Sequence, residues 1–260
     1  GAAAVFLGGP YSTNLTPTAT RFSALANARL GAAVANAGDV NGDGYADALF
    51  GAPGASNGQA GEGLVYLHYG SATGLAAAPS LTLEVNVAGA QFGTSVSTAG
   101  DVNGDGYADV VIGAPANGNG AAYVFMGGAG GLSTAPSATL TGGTQCGRSV
   151  ATAGDVDHDG FADVIIGSPG TGEARIFEGS PTGIVTTPVV VLSELPASGL
   201  FGTAVATAGD VNGDGYSDVI VGAPQAANGQ ANEGLAYVYH GGATSITTTY
   251  ARMLEVNQAA

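Results

Sequence analysis

The acid of this chain is concentrated in one nine-residue phrase, written four times. It reads DVNGDGYAD at 39–47 and again at 101–109, DVDHDGFAD at 155–163 and DVNGDGYSD at 210–218. All 13 aspartates lie there, out of 20 acidic residues in the chain. Positions 1, 3 and 5 offer side-chain oxygens at alternate residues, and a glycine at 6 lets the chain turn so that they converge. Position 7 can add a backbone carbonyl and position 9 a last carboxylate. Hard oxygen donors without His or Cys favour Ca²⁺ over zinc or copper. The expected ligand sets are Asp39, Asn41, Asp43, the carbonyl of Tyr45, and Asp47; Asp101, Asn103, Asp105, Tyr107, Asp109; Asp155, Asp157, Asp159, Phe161, Asp163; and Asp210, Asn212, Asp214, Tyr216, Asp218. Four calcium sites are therefore expected. Two carboxylates about 4 Å apart repel by roughly 4 kcal/mol at an effective dielectric of 20. A plain Asx-Gly turn has no need of such crowding; a counter-ion accounts for it.

An EF-hand is excluded at position 12. That motif requires a bidentate glutamate there, and this chain has Phe50, Ile112, Ile166 and Val221. The flanks also read as strands. The first aspartates, at 39, 101, 155 and 210, are spaced by 62, 54 and 55 residues, a period that signals a solenoid, propeller or array. Each unit holds four apolar runs of about five residues, rich in Val, Ile, Tyr and Thr and bounded by Gly, Pro and Asn, which is the pattern of strands. In the second unit strand 1 is expected at FGTSV, strand 2 at ADVVIGAP, strand 3 at AYVFM and strand 4 at SATL. No segment has a helical period. Four short strands per unit is the make-up of a propeller blade, and the near-continuous apolar DVVIG suits a strand buried on both faces.

Phe92-Gly93 with Gly113-Ala114-Pro115, and Phe201-Gly202 with Gly222-Ala223-Pro224, resemble the FG-GAP repeat of integrin α-subunit propellers. Leu30-Gly31 with Gly51-Ala52-Pro53 and Cys146-Gly147 with Gly167-Ser168-Pro169 continue the pattern in the other units. The resemblance covers nearly the whole chain. It implies a bladed propeller with calcium loops on one face, in a family whose rings have seven blades.

The expected fold is all-β: a propeller of four-stranded antiparallel blades at about 25–87, 88–142, 143–195 and 196–257, preceded by an N-terminal half-blade at 1–24. The half-blade follows from AAAVFLGG at 2–9, which matches the strand-3 run AAYVFMGG at 121–128, and from TATRFSA at 18–24 as its strand 4.

A net charge of −15 with no lysine and five arginines argues against a nucleic-acid partner and an anionic membrane surface. No apolar run approaches the ~20 residues of a membrane helix, and GAAAVFLGGP lacks the basic start of an intact signal peptide. Weak calcium modules are typical of extracellular proteins, so a secreted or surface setting is expected. Adhesion to a protein or glycan ligand is the expected function, and a structural subunit of an extracellular filament or closed oligomer, completed by strands from a neighbouring copy, is the alternative; the half-blade is equally the pattern of a piece of a longer chain. Enzyme-associated propellers are usually accessory modules, and no nucleophile–base set stands out, so catalysis is not expected. Cys146 is expected to be a buried hydrophobe, His158 exposed, His68 and His240 on a strand-end rim, and Glu62 and Glu233 solvated hairpin acids. Asn14-Leu15-Thr16 is a glycosylation sequon weakened by Pro17.

Overall fold

A computed structural model describes residues 1–6, 17, 19–194 and 199–255. Eighteen strands and no α-helix occur among them. The sequon at Asn14 lies outside the described residues.

Strands β1 (Ala2–Val5) and β2 (Ala19–Phe22) form an antiparallel pair. Four sheets of four strands follow, each in simple chain order. The first holds β3 (Ala33–Gly38), β4 (Asp47–Ala52), β5 (Leu64–His68) and β6 (Leu81–Leu83). The second holds β7 (Ser95–Gly100), β8 (Asp109–Ala114), β9 (Ala121–Phe125) and β10 (Ala138–Thr141). The third holds β11 (Ser149–Gly154), β12 (Asp163–Ser168), β13 (Glu173–Phe177) and β14 (Val190–Ser193). The last holds β15 (Ala204–Gly209), β16 (Asp218–Ala223), β17 (Leu235–Tyr239) and β18 (Arg252–Leu254). The first strands of successive sheets pack side by side, β3 on β7, β7 on β11 and β11 on β15, as blades do around an axis.

The core lies between the blades. Leu49, Leu67 and Leu83 of the first blade meet Phe92, Ile112 and Phe125 of the second. Val111, Val124 and Leu140 meet Cys146, Val164 and Ile166. Ile165, Ile176 and Leu192 meet Phe201, Val219 and Tyr237. A strand such as β8 or β12 is therefore buried along its whole length, which is why its sequence is apolar throughout and does not alternate. The residue before the FG glycine fills each interface. Cys146 does so in the third blade and is fully buried.

The sequence assigned Phe-Gly to strand 1; the structure places it in the turn ahead of that strand. Gly93 has φ 83 and Gly202 φ 86, a left-handed backbone that a side chain would strain. From that turn the Gly93 N–H donates to the Gly113 carbonyl at 3.0 Å and the Gly202 N–H to Gly222 at 3.1 Å. The two halves of the repeat motif are thus bonded to one another within one blade.

The β1–β2 pair occupies the place of strands 3 and 4 of a preceding blade. A Cβ on Gly31 would press on the Ala2 carbonyl oxygen at 2.6 Å, as one on Gly93 would press on Leu64 at 2.8 Å. Ala3 and Val5 pack on Leu30, Phe50 and Leu64.

His68 is not on a solvated rim. It is buried, its Nδ1 lies 2.8 Å from the Ala76 carbonyl, and its ring meets Phe50 edge-on at 5.2 Å. Burial pushes its pKa below the ordinary histidine value, and the positive charge of Arg21 acts in the same direction against the Ala76 bond. A histidine with a lowered folded pKa contributes stability that is present above about pH 6.5 and lost as the pH falls. The melting midpoint of His68→Gln is expected to fall less between pH 7.5 and 5.5 than that of the parent, by about 2 °C, as read by calorimetry. Equal slopes would remove His68 from the acid response.

Candidate metal loops

Each nine-residue phrase joins strand 1 to strand 2 of its blade. Its first aspartate folds the loop around itself. Asp39 Oδ1 accepts from the N–H of Gly42 (2.7 Å) and Asp43 (3.1 Å), and its Oδ2 from Gly44 (2.8 Å). Asp101 and Asp210 repeat the pattern, and Asp155 keeps the bonds from Asp159 and Gly160. The glycines at positions 4 and 6 have positive φ, for example 72° at Gly104 and 89° at Gly106, as so tight a curl requires. His158 takes position 4 of the third loop with φ 61, and it is exposed. Desolvation pushes the Asp39 carboxyl up, but the N–H bonds from Gly44, Gly42, Asp43 and Asn41 together outweigh it and hold the group below the ordinary carboxylate value. The Gly215 N–H leads the same effect at Asp210.

The aspartate at position 9 opens strand 2 and points inward. Asp109 Oδ2 accepts from the Val102 N–H at 2.8 Å, and Oδ1 from Gly127 at 2.8 Å. Asp163 is bonded to Val156 (2.7 Å) and Gly179 (2.9 Å); Asp47 and Asp218 are held alike. This carboxylate straps its loop to the turn after strand 3. Burial pushes Asp109 up to about 6 and Asp163 up to about 7, against the pull of those N–H bonds, and the loop's other aspartates add to the rise. Asp109→Ala leaves two buried N–H groups without an acceptor. The expected cost is about 3 kcal/mol, read as a lower urea midpoint at unchanged slope.

Asp155, Asp157 and Asp159 bring one carboxylate oxygen each to within 4.8 Å of one another. In the other loops an asparagine stands at position 3, and its amide donates to the carboxylate at position 5. Asp163 is not part of that three-carboxylate group and rests on its N–H donors. The expectation for position 7 concerned only its carbonyl, but its ring has a separate task. Tyr107 lies over Gly42, where a Cβ would be 2.6 Å from Cε1, and Phe161 lies over Gly104 at 2.8 Å. Tyr216 meets the His158 ring at 6.1 Å. The regular appearance of an aromatic at position 7 was the available signal, since a carbonyl ligand places no demand on the side chain.

Loop geometry is tied to blade packing. The N–H at position 8 of each later loop donates to the carbonyl of position 1 in the loop before it: Ala108 to Asp39 (3.0 Å), Ala162 to Asp101 (2.9 Å) and Ser217 to Asp155 (3.0 Å). Gly128, Ser180 and Gly242 donate to Val40, Val102 and Val156, each at 3.0 Å.

The donor set fits a hard divalent cation. It is all oxygen, it is crowded, and one of its oxygens, Asp157 Oδ1, is buried without a hydrogen-bond partner. Among the described residues the one ion pair, Arg175–Glu173, involves none of these loops, so no side-chain cation neutralises them.

Glu62 and Glu233 do not form a pair, belonging to the first and last blades. Glu62 is fully buried where a solvated acid was expected. Its Oε1 accepts from Asn57 (2.5 Å) and Gln59 (3.3 Å) and so closes the β4–β5 hairpin. Glu233 accepts from Asn228 in the same way.

The FG-GAP repeat family profile matches residues 30–68, 92–125, 147–186 and 201–239, more than half of the chain. The chain belongs to the FG-GAP repeat family and is an integrin-like β-propeller domain. It is 33% identical over 153 residues to integrin alpha-PS5 of Drosophila melanogaster, a match that covers 55% of this chain and 15% of the relative. It is 40% identical over 156 residues to integrin alpha-5 of Xenopus laevis, covering 51% and 14%. With integrin alpha-IIb of Mus musculus it shares 34% over 170 residues, covering 60% and 16%. The chain thus spans about one-seventh of the length of these relatives. No helix among the described residues is long and apolar enough to cross a membrane.

Proposed function

We propose that this chain is a calcium-loaded extracellular module that binds a protein or glycan ligand in adhesion, with calcium structural and no catalysis of its own. The observation that carries the reading is the loop itself. Four copies of an oxygen-only donor set are each curled around the first aspartate and strapped to the next turn by the ninth. Loading a loop fixes the carbonyls on which the next blade hangs, so calcium would hold the propeller's shape and leave recognition to other loops. Native mass spectrometry of chelator-stripped protein titrated with CaCl₂ tests the first half, with up to four calcium adducts expected. Arrays of matrix proteins and glycans, probed with and without calcium, test the second. Absence of adducts would end the calcium reading, and absence of any array ligand would end the adhesion reading.

A second reading, a structural subunit that self-associates, is favoured by the two end blades. Val34 is 59% exposed, whereas Val96, Val150 and Val205 at the same place in the other blades are 8%, 6% and 9%. Leu254 is 50% exposed, whereas Leu83, Leu140 and Leu192 are 1%, 0% and 0%. Where another blade adjoins, the corresponding valine or leucine is buried against it, and a second copy would supply such a blade. The two ends differ, so repeated contact between them builds a ring or a fibre. Light scattering of the 260-residue chain distinguishes the readings: a monomer that Leu254→Glu leaves unchanged removes the second.

A further inference from the structure

The four loops are not chemically equal, and the third differs most. Elsewhere the position-3 asparagine is engaged within its own loop. The amide of Asn41, Asn103 or Asn212 donates to the position-5 carboxylate at 3.0, 2.9 or 2.8 Å, and its Oδ1 accepts the position-5 N–H at 3.0, 3.1 or 3.0 Å. Asp157 has no amide to donate. Its Oδ1 is buried and unpartnered, inside the group in which Asp155, Asp157 and Asp159 lie within 4.8 Å.

The third loop thus carries four carboxylates, Asp155, Asp157, Asp159 and Asp163, against three in each of the others.

Resting on the calcium reading above, we infer that the third loop is a distinct, high-affinity site that fills first and empties last, because Asp157 offers it a charged, unpartnered oxygen where the other loops have a neutral asparagine already engaged. Oxygen loops of one design are tuned in calcium affinity chiefly by ligand charge and rigidity. The exchange of asparagine for Asp157 adds one negative charge to the third loop. The consequence is local. The third loop's Asp155 and Val156 carbonyls hold Ser217 and Gly242 of the last blade, so when calcium is scarce the last two blades stay clamped after the other junctions have loosened.

The test is calorimetric titration of the chelator-stripped 260-residue chain with CaCl₂. The parent is expected to show one site at least roughly tenfold tighter than the rest. Asp157→Asn gives the third loop the position-3 residue of its neighbours, and the tight step is expected to disappear while the weak ones remain. Asn103→Asp is expected to add a second tight step. Four indistinguishable sites in the parent, or a tight step that survives Asp157→Asn, would overturn the inference and leave the calcium reading standing. No binding heat, together with no calcium adducts by native mass spectrometry, would overturn both.

Discussion

Removing calcium is expected to lower the melting temperature of this protein by roughly 20 °C. A ligand present at a hundred times its dissociation constant stabilises by about 2.7 kcal/mol per site. In a protein of about this size each kcal/mol moves the midpoint by roughly 2–4 °C. Four loops at such occupancy reach that shift even at the lower conversion. The structural cause is the coupling of loop to blade: Asp39, Asp101 and Asp155 each hold, through their carbonyls, the N–H of the following loop. An unloaded loop keeps its carboxylates crowded without a cation to offset their repulsion.

The stripped protein should also respond to pH in a characteristic sense. Burial raises the carboxyls of Asp109 and Asp163 to about 6 and about 7. Their folded pKa values lie above the ordinary 3.8, so the folded state holds protons that the unfolded state gives up. That contribution is full below about pH 3.8 and lost as the pH rises through 6 to 7. In EDTA the midpoint is therefore expected to be higher at pH 5 than at pH 7.5. With calcium saturating, protons compete with the cation, and acidification should weaken binding. Differential scanning calorimetry in CaCl₂ and in EDTA at both pH values reads all four states. A midpoint indifferent to EDTA would show that the loops do not depend on a cation.

Gly113→Ala and Gly222→Ala make the same change at the same motif position and should have very different effects. A Cβ on Gly113 would collide with the Gly147 carbonyl oxygen of the next blade and with Ser95 Oγ. A Cβ on Gly51 or Gly167 would likewise strike the carbonyl oxygen of Gly93 or Gly202. The obstacle is backbone, which cannot rotate away, so the blades must separate. The cost of such overpacking is about 3 kcal/mol, and the loosening should extend to the Cys146 and Val150 contacts. At Gly222 the nearest atom is Ala204 Cβ at 3.5 Å, an ordinary contact. Alanine there should be neutral or slightly stabilising, because glycine within a strand is a poor choice on its own. Urea midpoints of the two variants in saturating calcium decide it. Similar losses in both would mean that the glycine serves the strand itself and not the junction.

The sequence by itself determined the repeat, the blade, the order of its strands and the position of the acid. Those features are local. A five-residue apolar run flanked by glycine can be read along the chain, and so can oxygens at alternate positions before a glycine turn. It also yielded the half-blade, because AAAVFLGG and AAYVFMGG share a pattern. Tertiary structure decided what depends on a neighbouring blade. Phe-Gly proved to be a turn because its glycine must bond to the GAP glycine across the hairpin. Glu62 is buried because it closes its hairpin on backbone N–H groups, and His68 because it is held by Phe50 and the Ala76 carbonyl. The ring at position 7 lies over the loop of the preceding blade, so no local pattern shows its partner. The contrast between Val34 and Val96, or Leu254 and Leu83, is likewise invisible in the chain. The residues are identical in kind, and only the presence or absence of an adjoining blade decides which of them meets water.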